Sequence, residues 1–282
     1  MSESVISPRQ NARIAALQMV SGPRVGDNLV TAGHLVAEAV DQGAQLAVLP
    51  EYFPIIGAAD ADRGRAREEF GRGPVQDWLA ETAVRHGLWL VAGSIPLAAS
   101  VPDKMMNSTL VYDPTGRCVA RYDKIHLFRF DNGREHYAES DVVQAGAQPV
   151  VCDIKARNGE VWRLGLSVCY DLRFPELYRM LSAQGADLLL VPSAFTHTTG
   201  QAHWEILLRA RAIENQAYVL APGQGGVHEN GRRTWGHSLL IDPWGEVMAL
   251  QASGAGVVLG SLSRERMQQV RQQLPALTHR VL

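Results

Sequence analysis

Short apolar runs alternate with amphipathic segments along most of this chain, and that alternation limits the fold more than any other feature. Arg13–Met19, Leu46–Leu49, Leu88–Ile95, Val161–Val168, Asp187–Val191 and Ala217–Ala221 read as strands. Asn28–Asp41, Pro74–His86, Pro175–Gln184 and Gln201–Asn215 have helical spacing. Pro74 stands early and Gly87 late around one helix, the usual asymmetry of helix ends. Strand–helix alternation of this kind predicts an α/β protein.

Two further segments, Thr109–Gly116 and Ser238–Gly245, end in Asp-Pro-x-Gly, which suits a type I turn between hairpin strands. Each follows its own α/β series, which hints at two similar halves. Most helices keep one polar face, so they are expected to cover sheets from outside. Two such layers packed sheet to sheet would make an α-β-β-α sandwich. No Gly-, Ser- or Pro-rich linker divides the chain, so residues 13–282 are expected to form a single domain after a polar lead at 1–12.

Composition narrows the function. Hydrophobic residues make up 46% and charged residues 20%, with a formal charge of −2, so nothing electrostatic argues for nucleic acid or an anionic membrane as partner. No apolar run approaches the roughly 20 residues needed to cross a bilayer, and the first residues lack a signal-peptide core. Cys118, Cys152 and Cys169 are few, odd in number and without metal-ligand spacing, which suits reduced thiols in the cytoplasm. His197, His203, His228 and His237 form no compact ligand pair, and an ion-pair network around Arg209 and Arg211 is the simpler expectation. Gly223, Gly225 and Gly226 lack the strand–loop–helix setting of a dinucleotide site and read as a flexible loop.

Three segments carry chemistry. Cys169 stands where an apolar strand gives way to a helix-like segment, so unpaired N–H groups and the helix dipole should favour thiolate. The plain alternative is a small buried cysteine. Glu51 ends the Leu46–Leu49 strand beside Tyr52 and Phe53, where partial desolvation would suit a proton acceptor; a solvated loop glutamate is the alternative. Lys124 lies among apolar and aromatic residues at the end of a hairpin strand, where an ammonium could stabilise an oxyanion or simply form a surface ion pair. His126 would share its strand face. Cys118 and Cys152 fall in apolar strands and read as structural.

Taken together, Pro50-Glu51, Asp123–Phe128 and Cys169–Glu176, continuing through Ala202–Glu205, Arg209–Asn215, Trp235–Ser238 and Asp242–Glu246, resemble the nitrilase superfamily of carbon–nitrogen hydrolases. The likeness runs from about Ile14 to the terminal helix. It implies the α-β-β-α sandwich, a homodimer, no metal or organic cofactor, and a Glu51–Lys124–Cys169 catalytic set with Tyr170 supplying a backbone N–H. A second glutamate is expected to orient the lysine: Glu139 matches best, with Glu135 as competitor. Phe195–Gly200 and His203–Glu205 are similar to the Nit branch, whose members hydrolyse small 2-oxo acid amides. Gln224–Gly231 resembles the members acting on deaminated glutathione more than the ω-amidases acting on 2-oxoglutaramate. Arg173 would then meet a substrate carboxylate, unless it pairs with Asp171 or Glu176, and Thr199 would donate a hydroxyl. Arg129, standing where an aspartate often follows His-Leu-Phe, leaves the next loop's geometry open. Acyl transfer to an amine, nitrile hydrolysis and a noncatalytic protein keeping the fold are the other readings.

Overall fold

A computed structural model describes residues 11–58 and 60–281; most of the 1–12 lead lies outside the described residues. One sheet holds β1 (Ala12–Gln18), β2 (Leu46–Val48), β3 (Trp89–Val91), β4 (Ile95–Ala98), β5 (Met105–Tyr112), β6 (Cys118–Asp123) and β15 (Gly256–Leu262). Its order is β15-β1-β2-β3-β5-β4, with β6 also on β5. The other holds β9 (Val150–Lys155), β10 (Val161–Leu166), β11 (Leu188–Leu190), β12 (Tyr218–Ala221), β13 (Ser238–Ile241) and β14 (Val247–Gln251), in the order β14-β13-β12-β11-β10-β9. A small ribbon, β7 (Arg129–Asp131) with β8 (His136–Ala138), stands apart. The helices are α1 (Val25–Asp41), α2 (Asp60–Arg65), α3 (Pro74–His86), α4 (Pro175–Ala183), α5 (His197–Asn215) and α6 (Arg264–Gln273).

The two-residue side-chain period of a strand divides the core. Along β1, Ala15 and Leu17 face α1 and α3 in one cluster with Ala32, Val36, Leu79 and Ala83. Ile14 and Ala16 face the other way and join Leu164, Leu166, Leu188 and Leu220 of the second sheet. Leu177 and Leu181 of α4, with Trp204 and Leu208 of α5, extend that cluster across the second sheet. The four layers are therefore α-β-β-α. Each fully buried Leu in them stabilises the fold by about 1.5–3 kcal/mol.

The two halves follow one plan. β1, β2 and β3 run parallel, as do β10, β11 and β12, and each set ends in an antiparallel hairpin. The matching turns are built alike: Asp113 Oδ1 accepts the Thr115 and Arg117 N–H groups, and Asp242 Oδ1 accepts those of Trp244 and Glu246.

Helix α3 starts at Pro74 and stops at Gly87 in the left-handed conformation, as its ends predict. Two expectations need correction. Leu88–Ile95 is not one strand: the chain turns at Gly93 (φ +59°), where a Cβ would lie 2.2 Å from the Leu49 and Pro50 carbonyl oxygens. Helix α5 begins at His197 rather than Gln201, because the Thr196 side chain accepts the Thr199 N–H and caps it.

Candidate active site

Open parallel sheets present their loops at the carboxyl ends of the strands, and ligands bind there. Glu51 follows β2, Lys124 follows β6, Cys169 follows β10, and Ala194–Thr196 follows β11. All of them line one cleft with about 530 Å³ of empty space, its open mouth included.

The centre is a buried charge cluster. Lys124 Nζ lies 3.0 Å from Glu51 Oε1, 2.8 Å from Glu139 Oε2 and 3.1 Å from Glu139 Oε1. Burial alone would pull the ammonium down, but Glu139 and Glu51 outweigh it and hold Lys124 well above the ordinary lysine value. Burial likewise favours a neutral Glu139, yet Lys124, the Phe128 N–H and Asn107 hold it below the ordinary glutamate value. Glu139 is delivered by the β7–β8 ribbon, whose last residue it follows, and its oxygens also accept the Tyr52 hydroxyl at 3.1 Å and the Phe128 N–H at 2.8 Å. Glu135 sits elsewhere, accepting the Thr198 hydroxyl at 2.8 Å. Arg129 is exposed on the same ribbon.

Cys169 opens a single 3-10 turn, Cys169–Arg173, in a left-handed conformation (φ +52°) that costs an L-residue about 1–2 kcal/mol. Its N–H donates to Pro192 O at 3.0 Å. The helix-terminus argument for a resting thiolate is overturned. Burial first, then the charge and hydrogen bond of Glu51, push the thiol well above the ordinary cysteine value, and the opposing pull of Lys124 is smaller. A thiol directed at a carboxylate is the resting arrangement. Glu51 is fixed by its second oxygen, which accepts the Ala194 N–H at 2.8 Å.

The turn is held from below by Asp171, fully buried. It accepts the Val168 N–H at 2.8 Å, the Tyr122 hydroxyl at 2.6 Å and the His126 N–H at 3.0 Å, with His126 Nδ1 at 2.7 Å. His126 thus belongs to Asp171 and stacks on Phe174 at 3.7 Å. Among the described residues the Tyr170 N–H has no acceptor.

Arg173 makes no ion pair with Asp171 or Glu176. Its guanidinium lies 3.3 Å from His203 Nδ1 and over the rings of Tyr170 and Phe195, on the cleft wall. Thr199 also lines the cleft, with its hydroxyl 2.8 Å from that of Thr196.

Sequence reasoning missed Asn107, whose Nδ2 donates to Glu51 Oε1 at 3.0 Å and to Glu139 Oε1 at 3.1 Å. The signal was available: Asn107-Ser108-Thr109 is a polar run inside a strand buried along its whole length. It also missed Arg63, Tyr137 and Arg232 in the lining. The Gly-rich stretch is close-packed rather than loose: a Cβ on Gly225 would lie 2.7 Å from the Gln18 side chain and 2.8 Å from Gly236 Cα. His228 is held between Ser21 O and the Thr234 hydroxyl, both at 2.8 Å, and burial lowers its pKa. His203 and Glu205 lie within α5, where Glu205 pairs with Arg209 at 3.5 Å. Among the described residues no cluster of His, Cys, Asp and Glu could hold a metal ion, and no helix is long and apolar enough to cross a membrane.

Known proteins are similar to this chain in sequence and in fold. The chain is 41% identical over 273 residues to the deaminated glutathione amidase of Yersinia enterocolitica, covering 96% of this chain and 93% of that protein. Its fold is similar to that of the C. elegans NitFhit protein (TM-score 0.85, 35% identity), covering 96% of this chain and 65% of that one. It is also similar to a glutamate-to-glutamine mutant of an amidase from Nesterenkonia sp. AN1 with acrylamide added at the active site cysteine (TM-score 0.72, 28% identity, 94% of this chain and 98% of that one). The carbon-nitrogen hydrolase model matches residues 13–272, and with that span and these relatives the chain belongs to the carbon-nitrogen hydrolase family.

Proposed function

We propose that this cleft hydrolyses the carbon–nitrogen bond of a small 2-oxo acid amide, with deaminated glutathione as the substrate and Cys169 as the nucleophile. The observation that carries the reading is the meeting of Cys169, Glu51 and Lys124, from three distant segments, around one buried point. Identity to a relative named for deaminated glutathione supports the substrate, as does the sequence likeness at Gln224–Gly231.

In the first step Cys169 Sγ attacks the amide carbon while Glu51 takes the thiol proton. A raised thiol pKa makes this coupling necessary, since little thiolate exists beforehand. The oxyanion forms between the Lys124 ammonium and the Tyr170 N–H; a donor of this kind contributes about 10²–10³ in rate. Glu139 holds Lys124 charged and in place, so that the ammonium beside Glu51 is fixed where the oxyanion forms.

Glu51 then gives its proton to the leaving nitrogen, cysteinylglycine departs, and a thioester of 2-oxoglutarate remains. Glu51 next takes a proton from water as it attacks the thioester. Collapse releases 2-oxoglutarate, and the proton returns to Cys169. Arg173 takes the carboxylate of the 2-oxo acyl group, with Thr199 nearby as a hydroxyl donor. The same reading includes one catalytic domain over residues 13–282, working without cofactor as a cytoplasmic homodimer. Three free thiols suit a reducing compartment, and the dimer follows from the family resemblance; light scattering would read its mass.

The test is product formation from deaminated glutathione and 2-oxoglutaramate, side by side, with the wild type and Cys169→Ala. Preference for deaminated glutathione, lost in the variant, supports the proposal. Preference for 2-oxoglutaramate moves the assignment to an ω-amidase, and full activity in the variant removes Cys169 from the mechanism.

A further inference from the structure

The cleft lining carries four cationic side chains, Arg63, Lys124, Arg173 and Arg232, against the two carboxylates of Glu51 and Glu139. Lys124 is already matched by both of those carboxylates. Arg63 is buried with its guanidinium 4.3 Å from the Tyr52 ring centroid. Arg173 and Arg232 remain, and among the described residues neither has a carboxylate partner. Arg232 reaches the cleft from the loop between β12 and β13, where its Nη2 donates to Ala194 O at 3.2 Å while its buried Nε has no acceptor among the described residues.

A run of contacts through three aromatic rings of the cleft lining connects these two guanidiniums. Arg232 stands 5.3 Å from the Tyr137 centroid, Tyr137 5.5 Å from Phe128, Phe128 5.2 Å from Tyr170, and Tyr170 5.7 Å from Arg173. Stacking on aromatic faces fixes each fork without using up its charge. A half-buried guanidinium with an idle buried N–H is costly unless an anion completes it.

We infer that the cleft holds two separate carboxylate subsites, and that Arg232 binds the distal carboxylate of a dianionic substrate. The inference rests on the substrate proposed above. Deaminated glutathione carries one carboxylate on its 2-oxo acyl end and one on the glycine of its leaving end; 2-oxoglutaramate carries only the first. Arg173 shares a turn with the nucleophile and suits the shorter acyl arm. Arg232 enters from a different segment, on the loop after β12 with its Nη2 on Ala194 O, and is left for the second carboxylate, that of the longer dipeptide arm. Arg232 is thereby the residue that separates the dipeptide amide from a simple amide.

The experiment compares kcat/KM for deaminated glutathione with that for the same molecule bearing a glycine carboxamide, in the wild type, Arg232→Gln, Arg232→Lys and Arg173→Gln. The wild type should prefer the free acid by about tenfold or more, the scale of a charge-assisted bidentate contact. Arg232→Gln should bring that preference within about threefold, chiefly through KM, and Arg232→Lys should regain part of it. Arg173→Gln should lower both rates together and keep the preference. A wild type indifferent to the glycine carboxylate, or an Arg232→Gln enzyme that keeps the preference, overturns the inference while leaving the proposed substrate standing. A wild type that cleaves 2-oxoglutaramate and neither dipeptide amide overturns both.

Discussion

The buried carboxylate of Asp171, two residues past the thiol, accepts the Tyr122 hydroxyl at 2.6 Å and so ties the turn bearing Cys169 to the strand that delivers Lys124. Nucleophile and ammonium come from different sheets, and this bond, with those from Val168 and His126, sets their spacing. Asp171→Asn exchanges an acceptor-only group for one with a donor that points at donors. We expect a loss of about 2–4 kcal/mol in stability. A misplacement near 1 Å costs about 10²-fold, so kcat should fall by about 10–100-fold with KM within about threefold. Steady-state kinetics beside a denaturant melt read both, and a KM effect with normal kcat would show that Asp171 does not position the thiol.

The Lys124–Glu139 pair should set the pH range of stability. Glu139 has a lowered folded-state pKa, so its contribution is full above the unfolded value near 4.5 and disappears as pH falls through the folded value. Lys124 has a raised one, so its contribution is full below the unfolded value near 10.5 and is lost as pH rises through the folded value. The stability gap between wild type and Glu139→Gln should therefore stay level from about pH 5 upward through neutrality and narrow in acid. Urea midpoints from pH 3 to 8 check this; a gap that widens in acid would contradict the sign.

Much of this site was legible because strand ends announce themselves. Glu51 and Cys169 each follow an apolar run, and such runs must stop where the backbone leaves the sheet. The choice between Glu139 and Glu135 was not legible, since it depends on how the β7–β8 ribbon folds back to hydrogen-bond Phe128 O to the Glu139 N–H. The thiol's charge state was misjudged for a related reason. Sequence shows the turn that follows Cys169 but not the burial around it or the carboxylate brought from another sheet, and those two outweigh the N–H groups of one short turn. The strand break at Gly93 was hidden too, because it answers to a backbone crossing by Leu49 and Pro50 some forty residues away.

Asn107 bridges the two glutamates, and each gives up one donor when it is shortened. Asn107→Ala should cost about 1–3 kcal/mol for the acceptors left unpaired in a dry site. Glu51 keeps its Ala194 and Lys124 contacts, so turnover should drop only about tenfold. A melt and a kcat measurement on one preparation test both halves; turnover lost beyond about 10³-fold would mean Asn107 touches the reacting atoms.

Glu51 has opposite effects on the thiol at rest and in reaction, and one variant separates them. Its charge and hydrogen bond help hold the Cys169 proton, alongside the larger effect of burial, yet the mechanism requires it to remove that proton as the bond to carbon forms. Glu51→Gln should therefore abolish amide turnover by at least about 10³-fold. It should also move the pH profile of Cys169 alkylation by iodoacetamide to lower pH, because Lys124 then acts on the thiol with one opposing charge fewer. Burial persists in the variant, so the profile should remain that of a desolvated thiol rather than of a free one. Alkylation followed by mass spectrometry from pH 6 to 10 gives the profile directly. A shift to higher pH would mean that Glu51 chiefly promotes ionisation at rest, and the coupled attack would have to give way to a preformed thiolate.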